Sequence, residues 1–439
     1  MKLKKIVLWT LLTALLAAAA LPGLAADTKS INPMLDPFEV EFVHTQDEFL
    51  NILMMGIDLS AGEFHASGNK NNIMDAHTDV NMIIAINKTK GRIDLVSIPR
   101  DTLVSVPGVR GIYKLNAAFN TGEGVREGFR HTRDTISWLL GGVRIDAYCA
   151  VDLNAMYTLV DTMGGIDFEL DMSYKGSSGR RYKEGFQHLD AMGVVDYVRA
   201  RTNATKERTD LGRTNRDRKM MIAIFEKLKS DINMVNELWA VSQKSSVNFY
   251  TDMKNIRVIT DLWDFFQDVN SAEIGSYLMT GEYAKYSLGY WNMTLTDQAA
   301  RKQLIKDVYG LDNVADIPFA SHEYCSWLLN GGFQAVQNIQ QARLILDYAK
   351  LRANTSKEVQ EGAAALEKAV NTSVAAFDKA STRLRGNANK ELADACRKMR
   401  SAAEKAAKAS GYPETYTWEK AKFWYQDPLI NQYNNIDWR

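Results

Sequence analysis

Two strand-length apolar runs, 80–87 (VNMIIAIN) and 92–99 (RIDLVSIP), lie four residues apart. The intervening Lys88-Thr89-Lys90-Gly91 has turn composition, so the runs are expected to form a hairpin. Neither run alternates cleanly between apolar and polar residues. Strands of that kind are central and covered on both faces. Around the hairpin, strand-like runs alternate with helical ones. The segments 51–56, 146–152 and 166–170 read as strands. The segments 114–142, 153–163, 188–198 and 220–228 read as helices, and 175–185 reads as a Gly/Ser/Arg loop. This alternation predicts an α/β fold, a three-layer αβα domain. The hairpin makes its central sheet mixed rather than purely parallel.

The flanking segments differ in kind. Lys2, Lys4 and Lys5 precede an apolar stretch, 6–21, and the small-residue Leu24-Ala25-Ala26 follows. Residues 1–26 therefore read as a signal peptide or a membrane anchor. Either way, the rest is expected on the extracytoplasmic face of the membrane. Residues 27–48, with Pro33 and Pro37, read as a polar linker, and 49–310 as the α/β domain. Further on, Val359, Ala363, Leu366, Val370, Val374 and Phe377 fall at helical spacing, as do Leu384, Ala388, Leu392, Ala395, Met399, Ala402 and Ala406. Residues 334–410 are thus a predicted helical hairpin or small bundle with Gly386 near the turn. The region 311–439 forms a C-terminal α-helical extension, and its aromatic end, 412–438, is expected to dock on the main domain.

Charge is distributed unevenly. The chain carries 53 basic and 53 acidic residues, yet 199–219 holds eight Lys/Arg against three Asp/Glu. Arg199 and Arg201 would share a face of an extended segment. Arg213 and Arg216 would share a helix face, with Asp210 placed to cap it. A forked guanidinium grips phosphate or carboxylate with paired donors, so two converging pairs would hold a diphosphate. Charge alone leaves open a solvated basic helix start with surface ion pairs. Nucleic acid is not the expected partner outside the membrane. Asp79, Arg100 and Asp101 stand at the ends of the hairpin strands, where ligands of α/β sheets collect. Each taken singly also fits a solvated strand end. Three cysteines exclude a disulfide scaffold. Cys149 reads as core, and pairing of Cys325 with Cys396 stays open. No zinc spacing, G-x-S-x-G or Walker A loop occurs.

Taken in order, Asp79, the Ser97-Ile98-Pro99-Arg100-Asp101 strand end, Lys114-Leu115-Asn116-Ala117-Ala118, Asp161-Thr162-Met163-Gly164-Gly165-Ile166-Asp167, Arg199-x-Arg201 and Asp210-x-Gly212-Arg213-x-x-Arg216 resemble the LytR-CpsA-Psr family of bacterial cell-envelope enzymes. The resemblance runs from about Phe49 to about Gly310. It implies a phosphotransferase that attaches anionic glycopolymers, teichoic acid or capsule-type polysaccharide, to peptidoglycan. The implied donor is a polyprenyl-pyrophosphate-linked glycan, and Mg2+ is the implied cofactor. By the same resemblance, Asp79 and Asp101 match the metal carboxylates. Arg100, Arg199, Arg201, Arg213 and Arg216 match the pyrophosphate-binding arginines, and Asp79, Arg100 and Asp101 are the implied catalytic set. The chain departs from the family at Thr78-Asp79-Val80, where Ser-Asp-Thr is frequent, after the last arginine, where a Gln is common and Asp217 and Arg218 stand here, and at Thr202-Asn203-Ala204. A lipid donor also needs an apolar channel under the helices. Two other readings remain: a non-catalytic module that binds wall polymer or lipid-linked glycan, and a pyrophosphatase that uses water as acceptor.

Overall fold

The computed structural model describes residues 29–43, 48–59, 72–200, 210–284, 293–317, 319–413 and 418, the side chains of 210–213 excepted. Two compact units divide between Asp36 and Pro37 and between His322 and Glu323. In the larger unit, a six-stranded sheet has the order β11-β6-β1-β2-β3-β12. Its strands are β1 (Phe49–Ile57), β2 (Thr78–Asn87), β3 (Arg92–Ser97), β6 (Ala147–Val151), β11 (Phe249–Thr251) and β12 (Gly275–Leu278). The β2–β3 hairpin is antiparallel, with Asn87 opposite Arg92. Asn87 Oδ1 accepts from Lys90 N at 2.8 Å, and Gly91 takes φ +62°, which the turn requires of a residue without Cβ. β1 pairs antiparallel with β2 and parallel with β6, so the sheet is mixed.

Helices cover both faces because both faces are apolar. The labels used are α1 (Val125–Leu139), α2 (Leu153–Thr162), α3 (Ala191–Arg199), α4 (Asp210–Leu228), α5 (Ile232–Ser242) and α6 (Gln298–Tyr309). On one face, Ile52, Met82, Ile86 and Leu95 pack with Met221, Ile222 and Phe225 of α4. On the other, Tyr309 of α6 donates to Asn51 Oδ1 at 3.2 Å and sets its ring 5.2 Å from Phe49. Phe129 of α1 lies 5.2 Å from Tyr148, which pairs with Leu53 on that face. The expected αβα layering follows.

Three local expectations change. The run 114–142 is α-helical only over α1, with two short 3-10 turns, Leu115–Ala117 and Phe119–Thr121, ahead of it. Lys114 belongs to a short strand, β5 (Tyr113–Lys114), paired with β4 (Leu103–Val104). Gly122 then turns so closely that a Cβ would lie 2.4 Å from Gly128 N. The run 188–198 begins its helix only at Ala191, because Asp190 caps there by accepting from Gly193 N at 2.8 Å. His188 and Leu189 belong instead to β10 (Gly185–Leu189), which pairs with β7 (Ile166–Leu170) in a separate two-stranded sheet. Finally, the loop 175–185 contains a hairpin of β8 (Tyr174–Lys175) and β9 (Arg181–Tyr182). Around these elements a second apolar cluster joins Phe168, Leu189, Val194, Tyr197 and Met220.

The smaller unit is helical: α7 (Phe333–Leu351), α8 (Lys357–Arg383) and α9 (Asn387–Ser410). The α8 stripe is buried as its spacing requires, with Leu366, Val374 and Phe377 fully covered. Leu384 and Gly386, both at positive φ, make the turn into α9. The segment ahead of the α/β unit packs here too. Leu35 is fully buried, and Arg343 grips both Asp36 oxygens, at 2.7 and 2.9 Å. Cys149, Cys325 and Cys396 are all free and buried, and burial pushes each thiol up to about 12. Among the described residues, no helix is long and apolar enough to cross a membrane. The segment 1–26 lies outside them, as does most of 412–438.

Candidate active site

A β-bulge creates the first site residue. Gly56 pairs with Val80 and Ile57 with Thr78, so Asp79 is the extra residue between them. A bulged residue leaves the ladder and its side chain is re-aimed. Gly56 suits the bulge, since a Cβ there would sit 3.0 Å from that of Val80. Asp79 Oδ2 accepts from Arg100 Nη1 at 2.5 Å, and Oδ1 accepts from Asn116 Nδ2 at 3.3 Å. Asp101 Oδ1 accepts from Lys114 Nζ at 2.7 Å, and its Oδ2 lies 3.7 Å from Arg100 Nε. The backbone laces these segments together. Asn116 N donates to Arg100 O at 3.0 Å, and Leu115 N to Thr102 O at 2.8 Å. The side chains of Asp79, Arg100, Asp101 and Lys114 are 15–23% exposed. They are sheltered but wet, so their ion pairs exceed surface pairs without the full cost of burying charge.

The arginine stretch is arranged differently from the sequence expectation. Arg199 closes α3 instead of lying on an extended segment. Arg201 and the side chain of Arg213 lie outside the described residues. Arg213 and Arg216 do share one helix, α4. Arg216 is buried, and its Nη2 donates to the carbonyl of Ala200, the residue that ends α3. It thereby fixes α3 against α4. Arg218 is buried beside Asn215, and burial lowers its pKa.

A cavity of about 1060 Å3 opens beside Asp79. Met54, Met82, Met156, Met220, Met221 and Ile224 give it apolar walls, and Asp58, Asp79, Arg199 and Asp217 give it a charged portion. Unbranched methionines adapt to irregular apolar ligands. A crevice of about 10 Å3 lies between Asp79, Ser97, Arg100 and Asp217, room for one water-sized species. Two oxygens in its wall, Asn81 Oδ1 and Ser97 Oγ, are buried without hydrogen-bond partners among the described residues. Asp101 and Arg216 line neither space. So Asp79, Arg100 and Asp101 come together in one ion-pair network, Asp79 and Arg199 line one cavity, and Arg216 ties α3 to α4 instead. Sequence reasoning assigned no role to Lys114, Asn116 or Asp217. The first two stood inside the quoted KLNAA motif, and Asp217 stood out only as a departure from the family.

At the sheet end of this αβα sandwich, the carboxylate–guanidinium network borders a cavity with apolar walls and a charged portion. The chain belongs to the LytR_cpsA_psr family, whose model matches residues 19–307. It is 26% identical over 271 residues to a polyisoprenyl-teichoic acid–peptidoglycan teichoic acid transferase TagU of Halalkalibacterium halodurans, covering 61% of this chain and 81% of that protein. It is 26% identical over 251 residues to the corresponding TagV of Bacillus subtilis. That match covers 55% of this chain, which spans only 59% of the relative's length. The crystal structure of B. subtilis TagV aligns with a TM-score of 0.49 at 22% identity, over 62% of this chain and 100% of that one.

Proposed function

We propose that the protein transfers an anionic glycopolymer from a polyprenyl-pyrophosphate-linked donor to peptidoglycan, at the extracytoplasmic face of the membrane. The observation that carries this reading is the cavity, which sets apolar walls and a charged portion with Asp79 and Arg199 in one space. The polyprenyl tail would lie along the methionines. The diphosphate would meet Arg100 and Arg199, joined by Arg201 and Arg213, with Arg216 holding α3 in place. The acceptor hydroxyl oxygen attacks the phosphorus next to the glycan. The bond from that phosphorus to the bridging oxygen breaks, and polyprenyl phosphate leaves. Asp79 takes the hydroxyl proton and returns it to solvent.

The residues fit a hard cation. Asp79 and Asp101 would hold Mg2+, which tolerates one or two carboxylates and completes its shell with water and phosphate oxygens. The orphaned Asn81 and Ser97 oxygens beside Asp79 suit that aqueous shell. When bound, the ion neutralises charge that develops on the phosphoryl oxygens.

The test is product analysis with a synthetic lipid-linked donor. Mg2+-dependent release of polyprenyl phosphate, only when peptidoglycan is present and with glycan joined to it, is the expected result. Equal release without acceptor would mean a pyrophosphatase. Donor binding without any release would mean a binding module.

A further inference from the structure

The β8–β9 hairpin plays no part in the chemistry above. Tyr174 stands opposite Tyr182, and Lys175 opposite Arg181. Cross-strand partners share a face. The two tyrosine rings stack on one face, with centroids 4.9 Å apart and planes at 18°. Lys175 and Arg181 therefore stand side by side on the other, both exposed. Like charges directly opposite destabilise a strand pair. Exposed Lys183 adds a third cation. Arg180 is neutralised by Asp190 at 2.7 Å, but none of the three has a carboxylate partner among the described residues.

Asp196 of α3 keeps this hairpin in place. Its side chain is fully buried, and it accepts from Ser177 Oγ at 2.8 Å, Ser178 N at 2.9 Å, Tyr182 OH at 3.0 Å and Ser178 Oγ. Burial would push its carboxyl up, but the donors of Ser178, Ser177 and Tyr182 bring it below the usual carboxylate range. Gly176 lies so close that a Cβ would sit 2.2 Å from Asp196 Oδ2. The turn is thus pinned through its backbone and hydroxyls, leaving its cations outside. Residues 173–177 also form part of the wall of the cavity that holds Asp79 and Arg199.

We propose that the hairpin is a preorganised cationic arm for the phosphate groups of a polyanionic glycopolymer, with Lys175, Arg181 and Lys183 as its contacts and Asp196 as its positioning residue. This rests on the transferase reading for the choice of polyanion. Anionic lipid headgroups offer the same phosphate chemistry. The polymer is favoured because the hairpin flanks the cavity assigned to the lipid end of the same molecule. Fixed cations release counterions from a polyanion, so affinity must fall with salt.

The test uses the full chain and the double variant Arg181→Gln/Lys183→Gln. Binding is measured to a poly(glycerol phosphate) oligomer, to a polyprenyl pyrophosphate carrying one uncharged sugar, and to phosphatidylglycerol vesicles. Affinity for the oligomer is expected to fall about tenfold with a shallower salt dependence. The uncharged-sugar donor should bind as before, and the thermal midpoint should hold or rise as the Lys175–Arg181 repulsion is relieved. Asp196→Asn should weaken oligomer binding in the same direction without removing a cation. Unchanged oligomer affinity overturns the proposal, as does equal loss on both soluble probes or a loss confined to vesicles. If the parent protein binds the oligomer but not the lipid pyrophosphate, the transferase reading fails and the arm does not.

Discussion

Replacing Asp79 by asparagine is expected to slow polymer transfer at least about a hundredfold while the protein stays folded. The substitution keeps size and one acceptor oxygen but removes the charge. Arg100 then loses its 2.5 Å ionic partner, and the proposed Mg2+ loses a ligand. Hydrogen bonds to charged groups contribute roughly 1.5–3 kcal/mol. Each ~1.4 kcal/mol lost from transition-state stabilisation is a factor of ten in rate. Stability should fall by about 1–3 kcal/mol, short of unfolding, because the pair is only about one-fifth exposed and Arg100 keeps Asp101 within 3.7 Å. Transfer rate and thermal midpoint, measured together, decide the matter. A parental rate would remove Asp79 from the site. A slow variant that loses more stability than this would make the Asp79–Arg100 pair a structural tie.

The second large effect concerns the cavity. Ile224→Trp on α4 should weaken binding of long-chain donors by about tenfold or more. Ile224 lines the cavity and packs beside the Phe168–Tyr197 cluster, so a bulky ring there occupies the space assigned to the lipid tail. Overpacking costs typically about 1–3 kcal/mol, and the open volume of about 1060 Å3 should keep the cost at the lower end. A donor shortened to a few isoprene units should lose much less. Equal loss with long and short donors would show that the effect does not come from occupying the tail's space.

The central hairpin was readable because its runs are apolar on both sides and its turn holds Gly91. The α8 stripe was readable because its apolar residues recur at helical spacing and that face is the one the helix buries. The site was half readable. Arg100 and Asp101 stand at a strand end that Pro99 enforces, and Asp79 stands beside the apolar run. What sequence could not supply was the bulge at Gly56–Ile57, because an extra residue in one strand depends on the partner's register. It also missed the role of Arg216. Spacing put Arg216 on the same helix as Arg213, but only the packing of α3 on α4 turns it toward the Ala200 carbonyl. The β8–β9 hairpin was hidden for a similar reason. Its strands are two residues long, and Asp196, far along the chain, stabilises it.

The most direct measurement is a crystal structure with a polyprenyl-pyrophosphate-linked sugar and Mg2+ bound. The predicted result is the isoprenoid chain among Met54, Met82, Met156 and Ile224, with the diphosphate between Arg100 and Arg199 and the ion on Asp79. A ligand bound elsewhere, with the cavity empty and Asp79 still paired to Arg100 and Asn116, would contradict it.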